Sequence, residues 1–265
     1  MDIKLVAIIL FTIIIHTSET LAYSIRLGGV RLRKIAVSLS LTGIVLLVAR
    51  TSNLVQAPLL GGVIDSARVN EAINVEGTFR LVLLSASAGT LLAIVLFPTF
   101  TKLAIFVIKR FEAEGSVFAL VSATNISKLK KTGSYVRRPR FQMLERLRVG
   151  GIPKRIMLMN MIVTAIYTTG ILSALYASLV SPDHSTASSM ATGLINGFAT
   201  ILLTLVLDPR IALLTEKALT EEGGADNMAK MYGWLMISRF CGTLLAQLLF
   251  LPAAYWIAWV SGVLN

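Results

Sequence analysis

Six apolar runs set the pattern of this chain, at residues 3–25, 35–57, 79–108, 156–180, 188–207 and 231–260. Each reaches the roughly 20 residues that a helix needs to cross a hydrocarbon core at ~1.5 Å per residue. The period-two alternation of a membrane β-barrel is absent. The pattern predicts an all-α, polytopic bundle of six transmembrane helices, one transmembrane domain over residues 1–265. Pro58 is expected to close the second helix, GGVID at 61–65 to be an ordinary loop turn, and Pro98 to kink the third.

Polar positions inside the runs change the picture. His16 and Glu19 interrupt the first, Arg50 the second and Arg239 the last. An ionisable group at mid-bilayer costs at least ~2.5 kcal/mol, so it faces a partner or a wet cavity. Several such groups imply a polar interior, which suits transport or intramembrane chemistry better than anchoring. His16, Glu19, Tyr23 and Arg26 recur at helical spacing and share one face. Arg50, Asn53 and Ala57 do the same on the second helix, and Arg239, Thr243 and Gln247 on the sixth. The fourth carries a milder stripe, Asn160, Thr164, Tyr167 and Thr168. On the fifth, Gly193, Gly197, Thr200, Thr204 and Asp208 line up, and Gly193-x-x-x-Gly197 permits close helix approach.

The candidate pathway residues are therefore Arg50, Arg239, Glu19, Arg26, His16, Asn53, Asp208 and Gln247. Each also has a structural reading. Glu19 paired with Arg50 or His16 would simply hold the bundle together, and Ser/Thr stripes are mostly helix contacts. Glu19 precedes Arg50 by the same spacing as Asp208 precedes Arg239, which suggests two related hairpins of the kind that transporters duplicate.

Lys and Arg outnumber Asp and Glu by 25 to 14, for a net charge of +11. Most of that excess lies in 109–155, with twelve basic and three acidic residues. Basic residues concentrate between spans one and two, three and four, and five and six, so these loops are expected inside and both termini outside. This topology accounts for the charge without a nucleic-acid partner. Within the basic cytoplasmic loop, 140–149 (RFQMLERLRV) reads as an interfacial helix lying on anionic lipid. The basic residues that follow the first run argue against a cleaved signal peptide.

Cys241 is the only cysteine, and His16 and His184 are the only histidines. A disulfide within the chain, a thiolate metal site or another cofactor is not expected. No phosphate-binding G-x-x-x-x-G-K-[ST] loop, H-E-x-x-H or G-x-S-x-G elbow occurs, so nothing marks the chain as an enzyme.

Five long blocks carry a resemblance: IHTSETLAYSIRLGGVRLRKIAVSLSL (15–41), VARTSNLVQAPLLGGVID (48–65), LMNMIVTAIYTTGILSALYASLV (158–180), SSMATGLINGFATILLTLVLDPR (188–210) and SRFCGTLLAQLLFLPAAYWIAW (238–259). Together they resemble the Amj family of bacterial lipid II flippases, named as an alternate to MurJ. The likeness covers nearly the whole chain, apart from 70–80 and 216–230. It implies transfer of an undecaprenyl-pyrophosphate-linked precursor from the inner to the outer leaflet of the bacterial plasma membrane, with a homo-oligomer left open. It carries over no site residues. Two readings compete with it: a secondary transporter for another anion, and a membrane-embedded lipid-phosphate enzyme.

Overall fold

The computed structural model describes residues 3–115 and 153–264, and nearly all of them are helical. The elements are α1 (Ile3–Leu32), α2 (Ile35–Val69), α3 (Val75–Glu114), α4 (Lys154–Val180), α5 (Ser185–Met190), α6 (Thr192–Leu202), α7 (Asp208–Thr220) and α8 (Gly224–Leu264). Six segments are long and apolar enough to cross a membrane: α1, α2, α3, α4, the stretch Pro182–Thr220, and α8. The segment 140–149, read as interfacial, lies outside the described residues.

The helices outrun the apolar runs. α2, α3 and α8 have 35, 40 and 41 residues, about 50–60 Å against ~30 Å of hydrocarbon. Their ends must tilt or stand among the headgroups. Pro58 does not close α2; it sits inside the helix, and GGVID is helical too. A proline forfeits one backbone bond, but membrane helices tolerate this where neighbours support them, and here α2 lies against α1, α3 and α4. Pro98 and Pro252 are likewise interior to α3 and α8.

The turns are short. Lys34 N–H donates to the Gly29 carbonyl at 2.8 Å, closing α1 with Arg33 at φ 56°. That left-handed position usually takes glycine, and here Arg adds to the positive charge of this end instead. At the start of α3 the Asn74 side chain caps the helix, accepting from Gly77 N–H at 2.8 Å, and Gly115 ends it at φ 66°.

The fifth span is broken. After α5 and α6, residues Leu203–Leu207 wind as a π-helix, and α7 begins at Asp208-Pro209. The span that corresponds to it in the suggested repeat, α1, is a single helix. The two hairpins thus differ in build at this span.

Two groups of helices make up the bundle. In one, α1 packs along both α2 and α3. Gly28 meets Ala104 and Ile108, and Thr17 Oγ1 donates to the Gly89 carbonyl at 2.9 Å. In the other, α4 lies along α8, with α6 against α4. Asn160 donates to the Leu235 carbonyl at 2.9 Å, Ser238 to that of Met157, and Gly242 abuts the Met161 carbonyl.

The groups meet in two apolar clusters. One, at the end that carries Arg31, Arg33, Lys34, Lys109 and Lys154 (the basic end), holds Leu27, Tyr23, Tyr232, Leu235, Leu207 and Ile211. Tyr23 and Tyr232 stack there with ring centroids 5.5 Å apart. The other, at the opposite end, holds Ile8, Leu60, Phe79, Leu83, Leu172 and Phe250. Burial of these side chains supplies the packing that joins the groups. On α1, Thr12, His16 and Glu19 fall in the layer between the clusters, past Ile8 of one and before Tyr23 of the other.

Candidate functional site

A cavity of about 360 Å³ occupies that layer. α1 contributes Thr12, Ile15 and His16, and α2 contributes Arg50, Asn53, Leu54 and Gln56. α4 adds Tyr167 and Thr168 across from them, and α6 adds Asn196. The helical spacing of His16 on α1 and of Arg50 and Asn53 on α2 aims these side chains into one space.

The polar lining divides into engaged and free groups. Gln56 donates to Thr12 Oγ1 at 2.5 Å and to the Ile8 carbonyl at 3.2 Å, which fixes α2 against α1. His16 is 6% exposed, yet its Nδ1 has no hydrogen-bond partner. The Asn196 Oδ1 is also buried without one. Arg50 is exposed at the cavity and makes no ion pair among the described residues. A buried polar group without a partner costs about 1–3 kcal/mol. A polar occupant would meet both of these buried groups and the exposed guanidinium of Arg50.

Glu19 does not pair with Arg50 or His16. Its carboxylate accepts from Arg239 Nη2 on α8 at 2.5 Å, and the two side chains are only 13% and 15% exposed. On α1, Glu19 is one turn past the cavity-lining Ile15 and His16, toward the basic end. Arg239 Nε remains buried and unpartnered. Tyr167 lines the cavity and lies within electrostatic reach of Glu19, Arg239 and Arg50.

The remaining candidates are elsewhere. Arg26 is two turns beyond Glu19, its Nε buried without a partner, within the electrostatic reach of Tyr232. Asp208 opens α7 between Leu207 and Ile211, which belong to the apolar cluster of the basic end, and it makes no ion pair with Arg239. Gln247 is a helix-to-helix contact near the opposite end: it donates to the Arg80 carbonyl at 2.8 Å, and Arg80 donates back to the Gln247 carbonyl at 3.1 Å. Among the described residues, a Cβ on Gly193 or Gly197 would find no atom within 4 Å, so this pair does not mark a close helix approach.

Asn196 is the cavity residue that spacing alone misses. It sits in the Gly-rich GLINGF stretch, and its signal is indirect. A Cβ at Gly170 of α4 would lie 2.1 Å from Asn196 Oδ1, so glycine there makes room for the amide. Among the described residues, no group of His, Cys, Asp and Glu is arranged to hold a metal ion.

An α-helical, multi-spanning protein with a partly open cavity in its middle layer, an Arg within it that has no ion pair among the described residues, and an ion pair at its edge has the build of a transporter. The comparisons agree with that class. The chain belongs to the Amj family, "Alternate to MurJ", whose family model matches residues 11–261. It is 40% identical over 253 residues to the protein named lipid II flippase Amj of Bacillus subtilis (strain 168), covering 95% of this chain and 94% of that one. No solved structure matches it.

Proposed function

We propose that the chain is a flippase of the bacterial plasma membrane that moves an undecaprenyl-pyrophosphate-linked peptidoglycan precursor from the inner to the outer leaflet. The observation that carries this reading is the unpaired Arg50 in a membrane-embedded cavity, beside the unsatisfied His16 and Asn196 and close to Asn53. A guanidinium pairs with phosphate oxygens through two parallel bonds, so it suits a pyrophosphate leaving water. The His and Asn groups would take up the remaining donors and acceptors of the headgroup.

Arg239 is the second cation of the route. In this structure Glu19 holds it, and an arriving pyrophosphate competes with that carboxylate. The pair lies between the cavity and the basic end, so its exchange opens or closes the basic side. Arg26 and the basic residues at that end gather the headgroup at the cytoplasmic face and rest on anionic lipid. Both termini are then outside.

The test is Arg50→Gln in cells that depend on this protein for growth, at matched protein levels. The expected result is loss of growth with precursor trapped on the inner leaflet. Normal growth and normal flipping would overturn the reading.

A further inference from the structure

The cavity is not closed all round. α1 packs on α2 and α3, and α4 packs on α6 and α8, yet α2 and α6, which both line the cavity, hardly touch each other. Leu54 of α2 lines the cavity and is still 74% exposed, so the gap opens sideways toward the bilayer.

The faces that flank this gap are unfilled. On α6, Asn196 shares a side with Gly193, Gly197 and Thr200 by helical spacing. Asn196 reaches the cavity, while a Cβ on Gly193 or Gly197 meets open space. On α2, Arg50, Leu54, Ala57 and Gly61 share a side, and Gly61 is open in the same way. Arg50 and Leu54 of α2 and Asn196 of α6 line the cavity where the two helices leave a slot, and beside Asn196 the glycine positions of α6 keep that slot unfilled. The unpartnered His16, more than nine-tenths buried, lines the same space.

From this arrangement we infer that the slot between α2 and α6 is the lateral portal for the substrate's isoprenoid chain. The inference rests on the flippase reading above. A headgroup in the cavity is covalently joined to its chain, so the chain must leave where no packed helix blocks it. The slot lets the headgroup sit beside Arg50 while the chain stays in lipid, passing over Leu54 and the glycine face of α6. A second apolar hollow, of about 300 Å³, lies along Ile14, Ser18, Leu21, Val45 and Leu92. It is on the far side of α1 from Thr12, His16 and Glu19. A chain attached to a headgroup in the cavity would have to wrap around α1 to reach it, so the hollow is the rival location.

The experiment places a photo-crosslinking side chain at Leu54, at Gly197 or at Leu92 of the full chain. Each variant is reconstituted in vesicles that contain a polyprenyl-diphosphate-linked disaccharide-peptide. Crosslinks to isoprenoid carbons are expected from positions 54 and 197 and not from 92. Crosslinks from 92 alone, or from none of the three while flipping continues, would overturn the portal. Gly197→Leu supplies a second measurement: the site has room for the side chain, so the fold should hold. Flipping should fall by about tenfold or more, the scale of an added bulk that a passing chain must clear. Unchanged flipping at normal protein levels would count against the portal. The flippase reading is tested separately by Arg50→Gln, because normal flipping in that variant sinks the headgroup site whichever positions crosslink.

Discussion

Glu19 on α1 and Arg239 on α8 join the two helix groups through a buried ion pair at 2.5 Å, although they are 220 residues apart in the chain. Removing one partner strands the other charge out of water. Glu19→Gln or Arg239→Gln alone should each lower stability by about 3–5 kcal/mol, the usual cost of breaking a buried pair. The double variant removes both charges and should regain most of the loss. Thermal unfolding of the four proteins in lipid nanodiscs checks this. A double variant no more stable than the worse single one would show that the two residues are not coupled.

The six spans were legible in the sequence, because an apolar run of span length has few other uses. The inward face of α1 was legible for a related reason: His16, Glu19, Tyr23 and Arg26 repeat at the helical period. What could not be read was which helix each face meets. Glu19 has two intramembrane arginines available, and helix adjacency in a bundle is set by side chains far apart in the chain. The structural reading paired Glu19 with Arg50 or His16, whereas its bond runs from α1 to Arg239 on α8. Pro58 misled for a different reason. Its local cost is the same in any helix, but packing of α2 on α1, α3 and α4 outweighs it.

Glycines show the same division between pattern and packing. Among the described residues nothing approaches the Cβ side of Gly193 or Gly197, whereas Gly89 and Gly242, each midway between small residues four positions away (Ser85 and Ala93, Ser238 and Ala246), lie against backbone. A Cβ at Gly89 would be 2.7 Å from the Ile13 carbonyl oxygen, and one at Gly242 would be 2.6 Å from that of Met161. Gly89→Ala and Gly242→Ala should therefore force α1 from α3, and α4 from α8, at a cost of about 1–3 kcal/mol. Gly193→Ala should be neutral or slightly stabilising, since alanine is the better helix former by about 1 kcal/mol. Unfolding midpoints of the three variants settle the ranking, and a destabilised Gly193→Ala would mean that α6 has a neighbour at that face.

Gln247 and Asn196 should separate cleanly in function. The Gln247 amide is already spent on the Arg80 backbone, and Arg80 also bonds Glu76 at 2.8 Å and lies over the Phe250 ring. Gln247→Leu should cost roughly 0.5–1.5 kcal/mol, one ordinary hydrogen bond, with little change in flipping per folded molecule. Asn196→Leu fills the cavity wall with an apolar group and removes an unpartnered oxygen, so stability should hold while flipping falls. The comparison needs both expression-normalised flipping and a melting curve. The opposite pattern, with Gln247 governing transport and Asn196 governing stability, would relocate the site toward the end of α8.

The membrane potential should drive the transfer. With the basic end in the cytoplasm, the pyrophosphate headgroup moves from the negative to the positive side of an energised membrane. Each net negative charge that crosses the full potential gains ~2.3 kcal/mol per 100 mV. Arg50 and Arg239 stay with the protein, so they lower the barrier for the anion without cancelling the charge that it carries across. In vesicles with a potassium diffusion potential set by valinomycin, transfer away from the basic end should be fastest when that side is negative. Reversing the gradient should slow it, and added nucleotide should make no difference, since the chain has no phosphate-binding loop of the G-x-x-x-x-G-K-[ST] type. A rate that ignores the potential would mean that a compensating cation crosses with the headgroup. In that case Glu19, the acid that bonds Arg239, is the first residue to replace.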